Sequence, residues 1–424
     1  MIDNGPRHIL SALFAAAVSA ADPALIVPRF LPEPPRGRTI VIGAGKGAAA
    51  MAQAFERAWP HRLEGVVVTR YGYGVPCERI RVLEASHPVP DEAGSMASRL
   101  LFDTVSGLTA DDLVVALISG GGSALLPAPP DGLSLADEQA FNQVLLDSGL
   151  AISDMNLLRK HMSQIKGGRL ARAVAPARLV TLVLSDVPGD QAAQVASGPT
   201  VPDGRTRADA LALLAQTRIS LPAAVLRHMR SPSADAPMPS DPCFAGQEVH
   251  VIGSAALSLD AAAAVCMAQF GIPALILSDA IEGEAREIGR MHAALAREVA
   301  TRNRPFAAPV MLLSGGETSV TVSGPCGRGG RNTEFALSLA IGLHETADVH
   351  ALAADTDGID GASDAAGAFV DGSTMRRLRE AGWDPRAVLG VHDSGSAFAA
   401  VGDLFVTGPT RTNVNDFRAM LIRT

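Results

Sequence analysis

Apolar residues along this chain come in short unbroken runs. Each run is followed by glycines or small polar residues, and then by a stretch with helical spacing. "TIVIGAG" (Thr39–Gly45) leads into an alanine-rich helix expected over Ala48–Ala58. "GVVVTR" (Gly65–Arg70), "DLVVALISGGGS" (Asp112–Ser123) and "RLVTLVLSDVPGD" (Arg178–Asp190) follow, with helices expected from about Asp91 to Leu108, from Ser134 and from Asp154. Unbroken rather than alternating runs suit parallel strands covered on both faces. Their alternation with helices predicts an α/β architecture with a Rossmann-like, doubly wound parallel sheet. "RSPSADAPMPSDPCFAG" (Arg230–Gly246) breaks the pattern without periodicity, as a linker does. A second α/β series then begins with "EVHVIGS", "IPALILSD" and "PVMLLSGGETSV". The boundary is expected near Ser240, giving domains 1–239 and 240–424. At the start of the chain, Leu10, Leu13, Phe14, Ala17 and Ala21 recur at helical spacing, which favours an amphipathic first helix over an export signal.

Composition narrows the classes. At 424 residues the chain is too long for one ordinary core. Its net charge is −8 and no basic block stands out, which argues against a nucleic-acid partner. No stretch approaches the ~18 apolar residues of a membrane span. Cys77, Cys243, Cys266 and Cys326 lack zinc or disulfide spacing, which suits a reducing cytoplasm. Lys46, Lys160 and Lys166 are the only lysines in a chain that otherwise uses arginine. They are candidates for sites that need a compact ammonium rather than a planar fork.

Several glycine-rich turns carry candidate chemistry. Gly43, Gly45 and Gly47 surround Lys46, and the turn fits the dinucleotide pattern GxGxx[G/A] through Ala48. The next strand ends in Arg70, where an NAD site would place an acid, which disfavours NAD and leaves NADP as a reading in principle only. A lysine inside the turn points instead to neutralising phosphate charge. Ser119, Gly120, Gly121, Gly122 and Ser123 end a buried strand as an anion nest. A similar loop carries Gly315, Gly316 and Glu317. The helix expected over Asn156–Ala171 sets Arg159, Lys160 and Lys166 opposite an apolar stripe, as ligands for a carboxylate or phosphate. Asp186 and Asp190 flank a Pro-Gly turn, where a carboxylate could orient a hydroxyl or hold Mg²⁺. Gly329 and Gly330 precede Arg331 at a helix mouth. Asp355, Asp357 and Asp360 fail the EF-hand spacing, yet form an oxygen cluster suited to Mg²⁺. Walker A, protein-kinase and GxSxG signatures are absent.

Taken in order, "GAGKGAAAMA", "HPVPD", "SGGGSALLPAP", "NLLRKHMSQIKGGRLA", "LSDVPGDQ", "VASGPTVPD", "GRGGRNTEFAL", "AADTDGIDG" and "TGPTRTNVND" resemble the glycerate 2-kinases of the MOFRL family over nearly the whole chain. The resemblance implies ATP-dependent phosphorylation of D-glycerate at C2, with Mg²⁺ or another divalent cation. It also implies a distinct C-terminal α/β domain and an active-site cleft between the domains. The family's lysine and arginine candidates fall on Lys46 and Arg331. On this reading the glycine loops cradle the nucleotide, Asp190 meets the substrate hydroxyl, and Asp186, Glu317, Asp355 and Asp357 are metal candidates. Lys46 and Arg331 come from different domains, so closure is expected to assemble the site. Relatives also carry the name hydroxypyruvate reductase. An NADP-dependent reductase and a non-catalytic nucleotide or anion sensor are therefore the competing expectations. Oligomeric state stays open, with a homodimer as one option.

Overall fold

The structure, a computed structural model, describes residues 5–217, 219–322, 324 and 326–423. The chain forms two compact units, one of Pro23–Ile252 and the other of residues up to Asp22 together with those from Gly253 onward.

The first unit is built on six strands: β1 (Thr39–Ala44), β2 (Glu64–Arg70), β3 (Ile80–Ala85), β4 (Leu113–Ser119), β5 (Arg178–Leu184) and β6 (Glu248–Gly253). They are ordered β3-β2-β1-β4-β5-β6, and the pairs from β3 across to β5 are parallel. The unbroken apolar runs have a direct cause. Ile40, Ile42, Val66, Val68, Val114, Ala116 and Val183 enter one core, while Val41, Val67, Val115, Leu117, Val180 and Leu182 enter another with Met51, Phe55 and Trp59. Alternate residues of a strand face opposite ways, so a sheet covered on both sides needs apolar residues at every position. A third cluster joins Phe141, Leu145, Leu158, Met162, Leu214 and Met229 from helices outside the sheet.

The second unit has β7 (Ala274–Ser278), β8 (Gly283–Glu284), β9 (Val310–Ser314), β10 (Thr318–Ser319), β11 (Val349–Asp355), β12 (Gly367–Asp371), β13 (Leu404–Phe405) and β14 (Asp416–Ile422). Its six-stranded sheet runs β13-β12-β11-β14-β9-β7. It is mixed: β11 is antiparallel to β12 and β14, β14 is antiparallel to β9, and β7 is parallel to β9. The final strand β14 lies inside this sheet, between β11 and β9.

Two features displace the expected boundary at 239/240. Strand β6 completes the first sheet, so the linker ahead of it does not divide the units. The first helix, Pro6–Ser19, buries Ile9, Leu10, Leu13 and Phe14 with Leu259, Leu352, Phe417 and Leu421 of the second unit. Burial of such side chains contributes roughly 1.5–3 kcal/mol each, enough to fix this helix on the C-terminal unit. Among the described residues no single helix is long and apolar enough to cross a membrane.

Candidate active site

The first unit gathers candidate residues at the carboxyl ends of its strands. β1 has β2 on one side and β4 on the other, so the chain reverses its winding there. Open α/β sheets bind ligands at such a switch point. The loops after β1 and β4 interlock: Lys46 N donates to Gly120 O at 2.8 Å, and Gly47 N to Ser119 Oγ at 2.9 Å. Gly45, at φ +132°, is obligatory, because a Cβ there would stand 2.2 Å from Ser119 Oγ. Gly43 lies inside β1 against Leu117. Gly120 and Gly122 abut Asp186 and Ala196, and a Cβ at Gly121 would meet both His87 and the Lys46 stem.

Lys46 is half-buried, and its ammonium has no carboxylate or hydrogen-bond partner among the described residues. Thr69 Oγ1 donates to Lys46 O at 3.2 Å, which fixes the turn without engaging the charge. Asp190 N donates to Val187 O at 3.1 Å, and Asp190 holds φ at 53°. Ala196 and Ser197 also have left-handed backbone, at φ 54° and 60°. For non-glycine residues this costs of order 1–3 kcal/mol each, and such strain concentrates at functional loops.

The expected helix over Asn156–Ala171 is interrupted, and this separates its three cations. One helix ends at His161, and the next spans Arg169–Val174. Lys160 donates to Asp203 O at 3.1 Å and to Arg205 O, and pairs with the Asp203 carboxylate at 3.4 Å. Lys166 reaches Glu138 Oε1 at 2.9 Å and Leu126 O at 3.0 Å, with both side chains 3% exposed. These two ammonium groups are committed inside the protein. Arg159 differs: its Nε donates to Asn142 Oδ1 at 3.1 Å and its Nη1 to Asn156 Oδ1 at 3.3 Å, both neutral acceptors. Asn156 Oδ1 also accepts from Ser197 Oγ at 2.9 Å, and Ser197 Oγ lies 2.9 Å from Ser123 Oγ. A chain of hydrogen bonds thus links Arg159 to the glycine loop after β4. Burial pulls the Arg159 guanidinium below its ordinary pKa, and the charge of Glu138 offsets this only in part, so an incoming anion would relieve the setting further.

In the second unit Arg331 begins the helix Arg331–Gly342. Its Nε donates to Asp416 Oδ1 at 2.7 Å, Nη2 to Asp355 Oδ2 at 2.7 Å and Nη1 to Glu317 Oε1 at 3.0 Å. Burial opposes the guanidinium charge, but Asp416, Asp355 and Glu317 outweigh it and raise its pKa. Asp416, fully buried, shares its other oxygen with Arg418, which lies 5.0 Å over the Phe335 ring. Burial pushes the Asp416 carboxyl up, and the two arginines more than reverse that. At Asp355, burial dominates and raises the carboxyl well above its ordinary range.

The acid cluster therefore serves arginine and the backbone. Asp360 caps the Arg331 helix, accepting from Asn332 N at 2.9 Å and Thr333 N at 2.8 Å. Asp355 Oδ1 accepts from Asp357 N at 3.1 Å, while Asp357 turns its own carboxylate to Ile359 N at 2.9 Å. Among the described residues no three His, Cys, Asp or Glu side chains are grouped to hold a metal ion. The glycines expected to cradle phosphate here are packed. A Cβ on Gly316 would fall 2.2 Å from Ile281 N, on Gly329 2.7 Å from Ser394 Oγ, and on Gly330 2.4 Å from Asp360. Gly315 lies against Leu259 and Asp416.

Sequence reasoning missed His87, Ser197, Asp416 and Arg418 as members of these clusters. Arg418 had a usable signal, a lone charge within the apolar run "FRAMLI". Ser197 had none, because its position depends on the left-handed loop that folds it back onto Ser123.

Comparison with known proteins places the chain. A family described as a domain of unknown function, DUF4147, matches residues 9–230, and the MOFRL family matches residues 310–416. A protein of Agrobacterium vitis that carries a provisional hydroxypyruvate reductase name is 53% identical, over 99% of this chain and 95% of its own. The D-glycerate 2-kinase of Thermotoga maritima is 41% identical, over 96% of each chain. The crystal structure of glycerate kinase from Thermotoga maritima superposes with a TM-score of 0.88 at 39% identity, covering 98% of both chains. On this similarity in sequence and fold, the chain belongs to the MOFRL family that includes the glycerate 2-kinases.

Proposed function

We propose that this protein is a glycerate 2-kinase that transfers the γ-phosphoryl group of ATP to the C2 hydroxyl of D-glycerate, releasing ADP. The carrying observation is Lys46: an ammonium without an acid partner among the described residues, at the switch point of a parallel sheet, beside interlocked glycine loops. Phosphoryl transfer asks the protein mainly for positioning and for fixed positive charge over the migrating group. Lys46 supplies that charge, and the loops after β1 and β4 hold the nucleotide phosphates. Arg159, whose partners are neutral, takes the substrate carboxylate. Asp190 accepts the hydrogen bond of the attacking hydroxyl. Glu317 is the most exposed of the three acid partners of Arg331. The choice of C2 rests on the relative's name.

Mg²⁺ rarely uses an all-protein cage; it keeps waters and phosphate oxygens and takes one or two carboxylates. Asp186, set against Gly120, is the carboxylate that fits such an ion. A bound Mg²⁺ would screen the negative charge of the phosphates.

The reductase name of a relative gives a second reading. The β3-β2-β1-β4-β5-β6 order is that of dinucleotide-binding sheets, and Arg70 ends β2 where the ribose 2′-phosphate of NADP would be read. Purified protein supplied with ATP, Mg²⁺ and D-glycerate should release ADP, and should not oxidise NADPH with hydroxypyruvate. NADPH oxidation without ADP release would replace the kinase reading by the reductase one. L-glycerate and glycerol, run in parallel, test recognition of configuration and carboxylate.

A further inference from the structure

His87 follows β3 in "HPVPD", a segment given no role above. Its loop folds over the carboxyl edge of the sheet until the ring reaches the glycine loop after β4. A Cβ at Gly121, where φ is +79°, would stand 3.1 Å from His87 Nε2 and 3.2 Å from Lys46 Cγ. The ring and the lysine stem therefore flank one point above Gly121. The half-buried ring has no hydrogen-bond partner among the described residues.

The charged groups around the ring share one sign. Lys46 comes from the turn after β1 and Arg70 from the end of β2, and Gly121 beneath adds no ionisable group. Burial, then Lys46 and Arg70, push the imidazole down to about 4. Arg70 has no carboxylate partner among the described residues, and its guanidinium lies 5.4 Å from the Tyr73 ring centroid. Lys46 and the imidazole face one point, Arg70 adds a second positive charge that acts on the ring, and together they form a receptor for a polyanion. A single carboxylate would leave half of that charge unanswered. A polyphosphate would also cancel the repulsion that keeps the ring neutral.

We propose that the His87 imidazole is a ligand of the nucleotide's polyphosphate, hydrogen-bonding a phosphoryl oxygen beside Lys46. The inference deepens the kinase reading and rests on it. Its test joins steady-state kinetics of His87→Ala and His87→Gln with NMR titration of the His87 ring in the wild type, with and without inorganic tripolyphosphate. His87→Ala should raise the KM for ATP roughly tenfold, the size of one charge-assisted hydrogen bond, and leave the KM for glycerate within about twofold. His87→Gln, which keeps a donor, should recover most of that loss. Saturating tripolyphosphate should bring the imidazole pKa from about 4 back towards the ordinary 6.5. An unchanged KM for ATP, a rise confined to glycerate, or a ring unmoved by bound tripolyphosphate overturns the assignment while leaving the kinase reading intact. Failure of both ATP and tripolyphosphate to bind the wild type overturns both.

Discussion

The three lysines divide by what surrounds them. Lys160 and Lys166 are held by carbonyls and acids inside the first unit, whereas Lys46 meets no acid among the described residues. The Lys166–Glu138 pair is buried on both sides, so its parts cannot be removed singly without cost. Lys166→Met should destabilise the protein by about 3–5 kcal/mol in urea unfolding, by leaving Glu138 buried and unpaired. The double variant Lys166→Met/Glu138→Leu should recover most of that loss. The folded fraction should keep its KM for glycerate, whereas Arg159→Ala should raise that KM. A rise with Lys166→Met would restore it as a substrate ligand. The sequence displayed these cations together because helical spacing puts them on one side of a continuous helix. The chain leaves the helix after His161, and that turn buries Lys166.

At the scale of elements, β1, β2, β4 and β5 of the first sheet were legible, whereas the edge strand β3, buried only in part, gave no apolar run and β6 was assigned to the second series; the second sheet was legible only in part. Runs apolar at every position require burial on both faces, and parallel strands joined by helices satisfy that requirement. In the second unit the same runs serve a mixed sheet whose strand β14 places Asp416 and Arg418 beneath the Arg331 helix. Sequence spacing cannot reveal this, since Asp416 and Arg331 meet only through strand pairing between distant segments. The three side chains act as one support. Asp416→Ala would strip a partner from Arg331 and from the buried Arg418. It should cost about 3–5 kcal/mol of stability, read from urea midpoints. A shift near zero would show that the buried ion group contributes nothing to holding the helix on the sheet. Gly316, Gly329 and Gly330 are points of close packing as well, as are Gly45 and Gly120 in the first unit, and these contacts join segments distant in sequence.

At the scale of the whole molecule, histidines in both units govern acid stability. Burial first of all depresses His161 and His292 to about 4 from an ordinary 6.5. The folded chain therefore keeps them neutral where the unfolded chain takes up protons. Their stabilising contribution is complete above about pH 6.5 and is lost as pH falls towards 4. Urea unfolding across that window should show weakening stability, and His161→Gln should remove part of the dependence. Identical slopes in wild type and variant would refute the burial argument for His161.

On the proposed mechanism, phosphoryl transfer depends on the Lys46 ammonium, which has no acid partner among the described residues. The most direct measurement is the kcat for ADP release by Lys46→Met at saturating ATP and D-glycerate, with circular dichroism to verify the fold. A loss of ~10³-fold or more is expected. A correctly folded variant that retains wild-type kcat would contradict it.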